Sequence, residues 1–279
     1  MAKIRLVCFD FDGTLIDTAP DLIRATNLYL KSKGLEPLPE ARIRGEIGMG
    51  LRRLILDVYP GDLDEDGRKR VEAEFLQVYE REFLTSPAPF EGALEFLQNF
   101  DGEIAIVSNK RMRFILPILQ KLELDRLPWV KIVGGDTYPN MKPHPEPFLA
   151  AIQAAGVSPE ETLIVGDGHP DVRGALAIES RCVAVSFGYT PVEELMDLGA
   201  WSRIDSFLNC PINQFNIVTC GNPQIDLSGL LTLHNILFLR RLECLADGSH
   251  HSLFLLAYSP ALSAPAKATT PFRWVFGSI

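Results

Sequence analysis

The strongest constraint on the fold of this chain is a rhythm: five short apolar runs, most of them set apart by segments of helical periodicity. The runs are IRLVCF at 4–9, EIAIVS at 103–108, VKIVGG at 130–135, TLIVGD at 162–167 and RCVAVS at 181–186. RMRFILPILQKL follows the second, PEPFLAAIQAAG precedes the fourth, PDVRGALAI follows it, and PVEELMDLG follows the fifth. A strand that is apolar along its whole length has no face to give to water. It belongs in a sheet covered on both sides, and strands alternating with helices reach that state as a parallel sheet. The expectation is an α/β fold built on a doubly wound parallel sheet. Such sheets bind ligands at the carboxyl ends of their strands, where Asp10, Ser108 and Asp167 fall.

The gap between the first and second runs is too long for one crossover helix. TAPDLIRATNLYLKSKG opens with Thr18 three residues before Asp21, in the manner of a capping box, and closes at Gly34. LRRLILDVY and DEDGRKRVEAEFLQVYEREFL follow with helical spacing. Residues 18–86 therefore read as a helical cap over the strand ends, inserted into a core of residues 1–17 and 87–208. Residues 209–279 change character, with only seven charged side chains. There LSGLLTLHNILFLRRLECL is expected to form an apolar-faced helix and SPALSAPAKATTPFRW a loose linker. This tail receives no chemistry.

With 279 residues, 47% hydrophobic and 23% charged, the chain has the composition of a globular protein with room for a core and a smaller insertion. A net charge of −9 gives nucleic acid no electrostatic foothold. No run of eighteen apolar residues argues for a membrane span, and the N-terminus enters a strand at Ile4 without a leader. Five cysteines without a CxxC pair suit a reducing compartment. The expectation is a cytoplasmic protein.

Asp10 and Asp12 stand two positions apart in DFDGT. Like charges this close need a cation, a proton or open solvent. An Asp before Gly is also a common turn residue, so the pair gains meaning from three later fragments in the chain: IVSNK at 106–110, Lys142 within MKPHPEP, and VGDGHPD at 165–171. With DFDGTLID at 10–17, these motifs resemble those of the haloacid dehalogenase superfamily of phosphohydrolases, over residues 1 to about 208. The position of the helical insertion resembles the cap of its phosphoglycolate-phosphatase-like branch.

Phosphoryl transfer needs an in-line nucleophile and neutralised oxygens, and an aspartate can supply the nucleophile through an aspartyl phosphate. That role falls to Asp10, and the second carboxyl, Asp12, is placed to protonate the leaving oxygen and later deprotonate water. A site this anionic requires a hard cation, which oxygen ligands give as Mg²⁺. The resemblance implies that Asp10, the Asp12 backbone carbonyl and Asp167 bind it, supported by Asp171; a helix N-cap is the plainer reading of Asp171. Ser108 and Asn109 would donate a hydroxyl and a backbone N–H to the phosphoryl oxygens, with a simple turn as the bland reading. Lys142 would supply the fixed cation, with a solvated loop lysine as the bland reading, and Thr14 would hydrogen-bond the phosphate or start the turn. The chain departs from the family in having Gly168 where many relatives have Ser. His169 then reads as a solvent-facing loop residue, with a face toward metal or substrate as the alternative.

In the cap, GEIGMGLRRL at 45–54 joins three glycines to Arg52 and Arg53. Backbone N–H groups at a helix start and an arginine fork both suit an anion, and the stretch resembles the specificity loop of phosphoglycolate phosphatases. The bland alternative is a connecting loop with two solvated arginines. The resulting expectation is a phosphomonoesterase acting on a small phosphorylated metabolite, 2-phosphoglycolate first. A phosphosugar mutase, a nucleotide or other small-metabolite phosphatase, and a non-catalytic phosphate-binding scaffold are the alternatives. The resemblance also implies that dehalogenation is disfavoured, since the superfamily's dehalogenases lack a carboxylate at the position of Asp12.

Overall fold

The computed structural model describes residues 2–209, 240–246 and 249–255. Two compact units divide the chain, Met1–Val218 and Thr219–Ile279.

In the first unit β1 (Leu6–Phe9) leads through β2 (Ile16–Asp17) into four helices: α1 (Ala19–Ser32), α2 (Glu40–Arg44), α3 (Leu51–Val58) and α4 (Glu65–Glu82). The chain returns through β3 (Ala88–Pro89) and α5 (Ala93–Asn99). It then alternates β4 (Glu103–Val107), α6 (Met112–Lys121), β5 (Trp129–Val133), α7 (Glu146–Ala155), β6 (Thr162–Gly166), α8 (His169–Ala177), β7 (Arg181–Val185), α9 (Val192–Leu198) and β8 (Ser202–Ile204). The sheet runs β5-β4-β1-β6-β7-β8, every pairing parallel. The expected doubly wound α/β sheet is therefore present, with the chain growing outward from β1 in one direction and then from β6 in the other. The crevice between β1 and β6 is where its carboxyl edge can receive a ligand.

Alternation along each strand divides the interior into two layers. Val7, Phe9, Ile104, Ile106, Leu163 and Val165 face one way, against Phe96 of α5 and Ile115 and Ile118 of α6. Leu6, Cys8, Ala105, Val107 and Ile164 face the other, against Phe148 of α7, Val172 of α8 and Leu195 of α9. A third cluster joins Leu22, Leu54, Phe75 and Tyr79 from the inserted helices, closed from below by Phe114 and Tyr189. The β2–β3 antiparallel ribbon, pairing Ile16 with Pro89, forms the two-stranded neck of this insertion.

Three local expectations are corrected. Thr18 makes no side-chain cap at the start of α1. Its hydroxyl donates to Asp12, the Asp21 carboxylate accepts the N–H groups of Thr85 and Ser86, and the Tyr189 hydroxyl takes the N–H groups of Thr18 and Ala19. The tertiary partners are stronger claimants than the local box. The end of the tail helix expected over 227–245 is instead a strand: β9 (Arg240–Ala246) pairs antiparallel with β10 (Ser249–Leu255). The remainder of that helix and the linker lie outside the described residues. Finally, β8, α2 and α5 are present where no element was expected; three to seven residues carry too little periodicity to be read.

Candidate active site

Asp10 continues β1 by one residue, its N–H donating to the Val165 carbonyl at 2.9 Å, and Asp167 follows β6 in the same way. They meet at the switch point of the sheet. Asp171 is the third residue of α8, behind the N-cap Gly168, so it is not itself the N-cap; its Oδ2 accepts the Gly168 N–H at 3.1 Å and orders the loop. Carboxylate oxygens of Asp10, Asp167 and Asp171 lie within 4.8 Å of one another. Lys142 completes the group: its Nζ is 2.8 Å from Asp10 Oδ1 and 2.7 Å from Asp171 Oδ1.

Asp167 is buried and held by two hydrogen bonds. Thr14 donates its hydroxyl to Oδ1 at 2.9 Å, and the Tyr189 N–H donates to Oδ2 at 2.8 Å. Gly13 has φ +81°, and a Cβ there would lie 2.2 Å from Asp167 Oδ2, so backbone conformation and space both require glycine. Thr14 thus has a carboxylate partner, which neither reading of the sequence provided.

Three buried carboxylates around one ammonium leave an excess of negative charge. Burial, reinforced by Asp10 and Asp171, holds the Asp167 carboxyl well above its ordinary range against the opposing Tyr189 and Thr14 hydrogen bonds. Burial and Asp10 push Asp171 up to about 7 in spite of Lys142. Burial works against the charge on Lys142, but Asp10 and Asp171 outweigh it and raise its pKa overall. A cation among these oxygens removes the strain, and the donor set is hard: among the described residues it contains no imidazole. The nearby Cys8 thiol, pushed up to about 12 chiefly by burial, stays neutral. The residues fit Mg²⁺.

The Asp12 carboxylate is not part of this group. It accepts the Thr18 hydroxyl, and Lys110 Nζ lies 3.0 and 3.3 Å from its two oxygens. Lys110 also donates to the Tyr79 hydroxyl of α4 at 2.7 Å, tying the floor of the site to the cap. Burial opposes the Lys110 charge, but Asp12 and Tyr79 outweigh it and raise its pKa. The sequence reading gave no role to Lys110, Tyr79 or Tyr189; a lone lysine after Ser-Asn carries no signal that it is buried.

Ser108 and Asn109 lie beyond β4, both buried, and with Asp10, Asp12 and Lys110 they form the floor of a chamber roofed by Leu22, Ile47, Leu51 and Leu54 of the cap. Its free volume of about 20 Å³ holds about one water. Asn109 Nδ2 donates to the carbonyls of Gly48 in the cap and Lys142 in the core, at 3.1 and 3.2 Å. Arg52 and Arg53 do not line this chamber. They line an adjoining groove, where Arg52 pairs with Glu65 and Glu72 at 3.2 and 3.5 Å and Arg53 pairs with Asp57. His169 is half-exposed at the start of α8, its Nε2 3.5 Å from Glu194, outside the carboxylate group.

Residues 7–185 match the haloacid dehalogenase-like hydrolase family. Phosphoglycolate phosphatase 1 of Pseudomonas aeruginosa is 38% identical over 193 residues, covering 66% of this chain and 70% of that protein. N-acetylmuramic acid 6-phosphate phosphatase of Pseudomonas putida is 34% identical over 195 residues, covering 69% of this chain and 87% of the relative. Among solved structures, a predicted phosphoglycolate phosphatase from Haemophilus somnus superposes with a TM-score of 0.69 at 26% identity, covering 78% of this chain and all of the other. Among the described residues no helix is long and apolar enough to cross a membrane.

Proposed function

The chain belongs to the haloacid dehalogenase-like hydrolase family, and on that premise we propose that it is a Mg²⁺-dependent, cytoplasmic phosphatase of small phosphomonoesters, with 2-phosphoglycolate the leading substrate. The observation that carries the reading is the convergence of Asp10, Asp167, Asp171 and Lys142 at the switch point of the sheet. In the proposal Asp10, the Asp12 backbone carbonyl and Asp167 hold the metal, with Asp171 in support. Bound there, the metal offsets negative charge on the phosphoryl oxygens and on Asp10.

Lys142 and the Phe11 N–H both contact Asp10 Oδ1, at 2.8 and 2.6 Å, which orients the carboxylate, and Oδ2, with no hydrogen bond among the described residues, is the oxygen that attacks phosphorus. As the P–O bond to the leaving group breaks, Asp12 gives that oxygen a proton. The same carboxylate then takes a proton from the water that attacks the aspartyl phosphate, releasing inorganic phosphate and restoring Asp10. Thr18 and Lys110 hold Asp12 in place for both transfers. Ser108 and the Asn109 N–H meet the phosphoryl oxygens, and Thr14 acts through Asp167. The α3 turn that begins at Gly50 and carries Arg52 and Arg53 receives the substrate's carboxylate.

The similarity to curated phosphoglycolate phosphatases supports this choice of substrate. The test is phosphate release from 2-phosphoglycolate and a panel of other phosphorylated metabolites, with Mg²⁺ and with EDTA. Metal-dependent release is expected; phosphoryl transfer between sugar positions without free phosphate would indicate a mutase instead.

A further inference from the structure

Beside the closed chamber lies a second cavity of about 430 Å³, and Gly50, Leu51 and Asn109 belong to the walls of both. The charged side chains lining the second cavity are all arginines: Arg52 and Arg53 from α3, Arg68 from α4, and Arg111 beside Asn109. Arg52, Arg53 and Arg111 are paired with Glu65, Asp57 and Glu72, acids outside that lining. Arg52 and Arg53 are half-exposed or more, and exchanging an exposed ion pair for a ligand anion costs little. The Arg68 side chain donates through Nε to the Leu63 carbonyl at 3.0 Å and has no acidic partner among the described residues. At the shared wall α3 begins on Gly50, which has no side chain to cap its first-turn N–H groups.

Asn109 supplies an independent sign of a ligand. Both carbonyl contacts use Nδ2, so the amide cannot be turned over, and its buried Oδ1 finds no hydrogen-bond partner among the described residues. A buried acceptor without a donor is costly, and here it belongs to a residue that lines both chamber and groove. A ligand passing from one to the other would satisfy it with a hydroxyl.

Resting on the phosphatase reading above, we infer that the groove holds a second anionic group of the substrate, borne on a hydroxylated body whose phosphoryl end lies at Asp10. The groove then extends the substrate range beyond 2-phosphoglycolate to longer phosphomonoesters that end in a carboxylate or a second phosphate. Guanidinium forks recognise either group.

The test compares kcat/KM of the full-length protein with Mg²⁺ for 2-phosphoglycolate, glucose 6-phosphate, 6-phosphogluconate and fructose 1,6-bisphosphate, alongside Arg68→Ala and Arg68→Glu. At least one doubly anionic six-carbon compound should exceed glucose 6-phosphate tenfold or more, and which one does so identifies the anion. Arg68→Ala should remove most of that advantage, and Arg68→Glu all of it, while glucose 6-phosphate changes little. Equal rates for the three six-carbon compounds, hydrolysis of 2-phosphoglycolate alone, or parallel loss on every substrate in the Arg68 variants would overturn the inference. If no phosphate is released from any of the four, the phosphatase reading has failed, and calorimetry then decides the groove separately. Tenfold tighter binding of 6-phosphogluconate than of glucose 6-phosphate, lost in Arg68→Glu, supports the groove, and equal binding refutes it.

Discussion

Replacing Lys142 by Met keeps an unbranched side chain in a buried place and removes the cation that touches both Asp10 and Asp171. Lys142 and both partner side chains are no more than 5% exposed, so water does not restore the lost interaction. Breaking one partner out of a buried ion pair costs about 3 to 5 kcal/mol, and for a domain of this size each kcal/mol moves Tm by about 2–4 °C. The expected loss is on the order of 10 °C at pH 8 in EDTA. Asp167 and Asp171 already have raised pKa values, and losing the ammonium raises Asp171 further. A carboxyl whose folded pKa lies above its unfolded value binds its proton preferentially in the folded state. The penalty is therefore complete above the folded pKa and relieved as pH falls below it. Thermal unfolding of both proteins at pH 8 and pH 5.5, with EDTA or Mg²⁺, should show the deficit shrinking in acid and with metal. A change below about 2 °C at pH 8 in EDTA, or a deficit independent of pH, would refute the charge balance assigned to this site.

Further perturbations test the remaining assignments. Asp10→Asn keeps the side-chain shape and should abolish phosphate release with little change in the circular dichroism spectrum; retained turnover removes the nucleophile assignment. Asp12→Asn should slow alkyl phosphates far more than p-nitrophenyl phosphate, whose leaving group needs no proton, and equal losses would argue against an acid at this position. Without metal, the wild-type protein should lose stability as pH rises from 3.8 to about 7, since the folded Asp171 retains its proton longer than the unfolded one. The increment in Tm given by Mg²⁺ should grow over the same interval, and an increment that is flat with pH would place the cation elsewhere. Gly13→Ala brings a Cβ to 2.2 Å from Asp167 Oδ2 at φ +81°, so it should displace that carboxylate and remove most of the Mg²⁺ increment, read by the same melts.

What could be read from the sequence and what could not divides along the range of the interactions involved. The central strands were legible because LVCF, IAIV and LIV are apolar on both faces, a property each segment carries by itself. Strand ends then located Asp10, Ser108 and Asp167 without knowledge of any contact. Lys110 and Asp12 are 98 residues apart, and Tyr189 reaches the start of α1 across 171. No local pattern encodes such pairs, so the capping box at Thr18 looked intact although its parts serve Asp12 and the β3 approach. Arg52 and Arg53 failed to reach the chamber for a reason that is local but geometric. Successive helical positions turn by about 100°, and in α3 the inward direction is taken by Leu51, Leu54 and Ile55, which are buried. The glycines before them read correctly as a turn at a helix start, but the arginines beyond are turned to the neighbouring groove, beside Arg68 and Arg111, which come from distant parts of the chain. A basic site assembled from three segments is visible only after folding, and that makes Arg68, with no motif of its own, the informative residue for substrate choice.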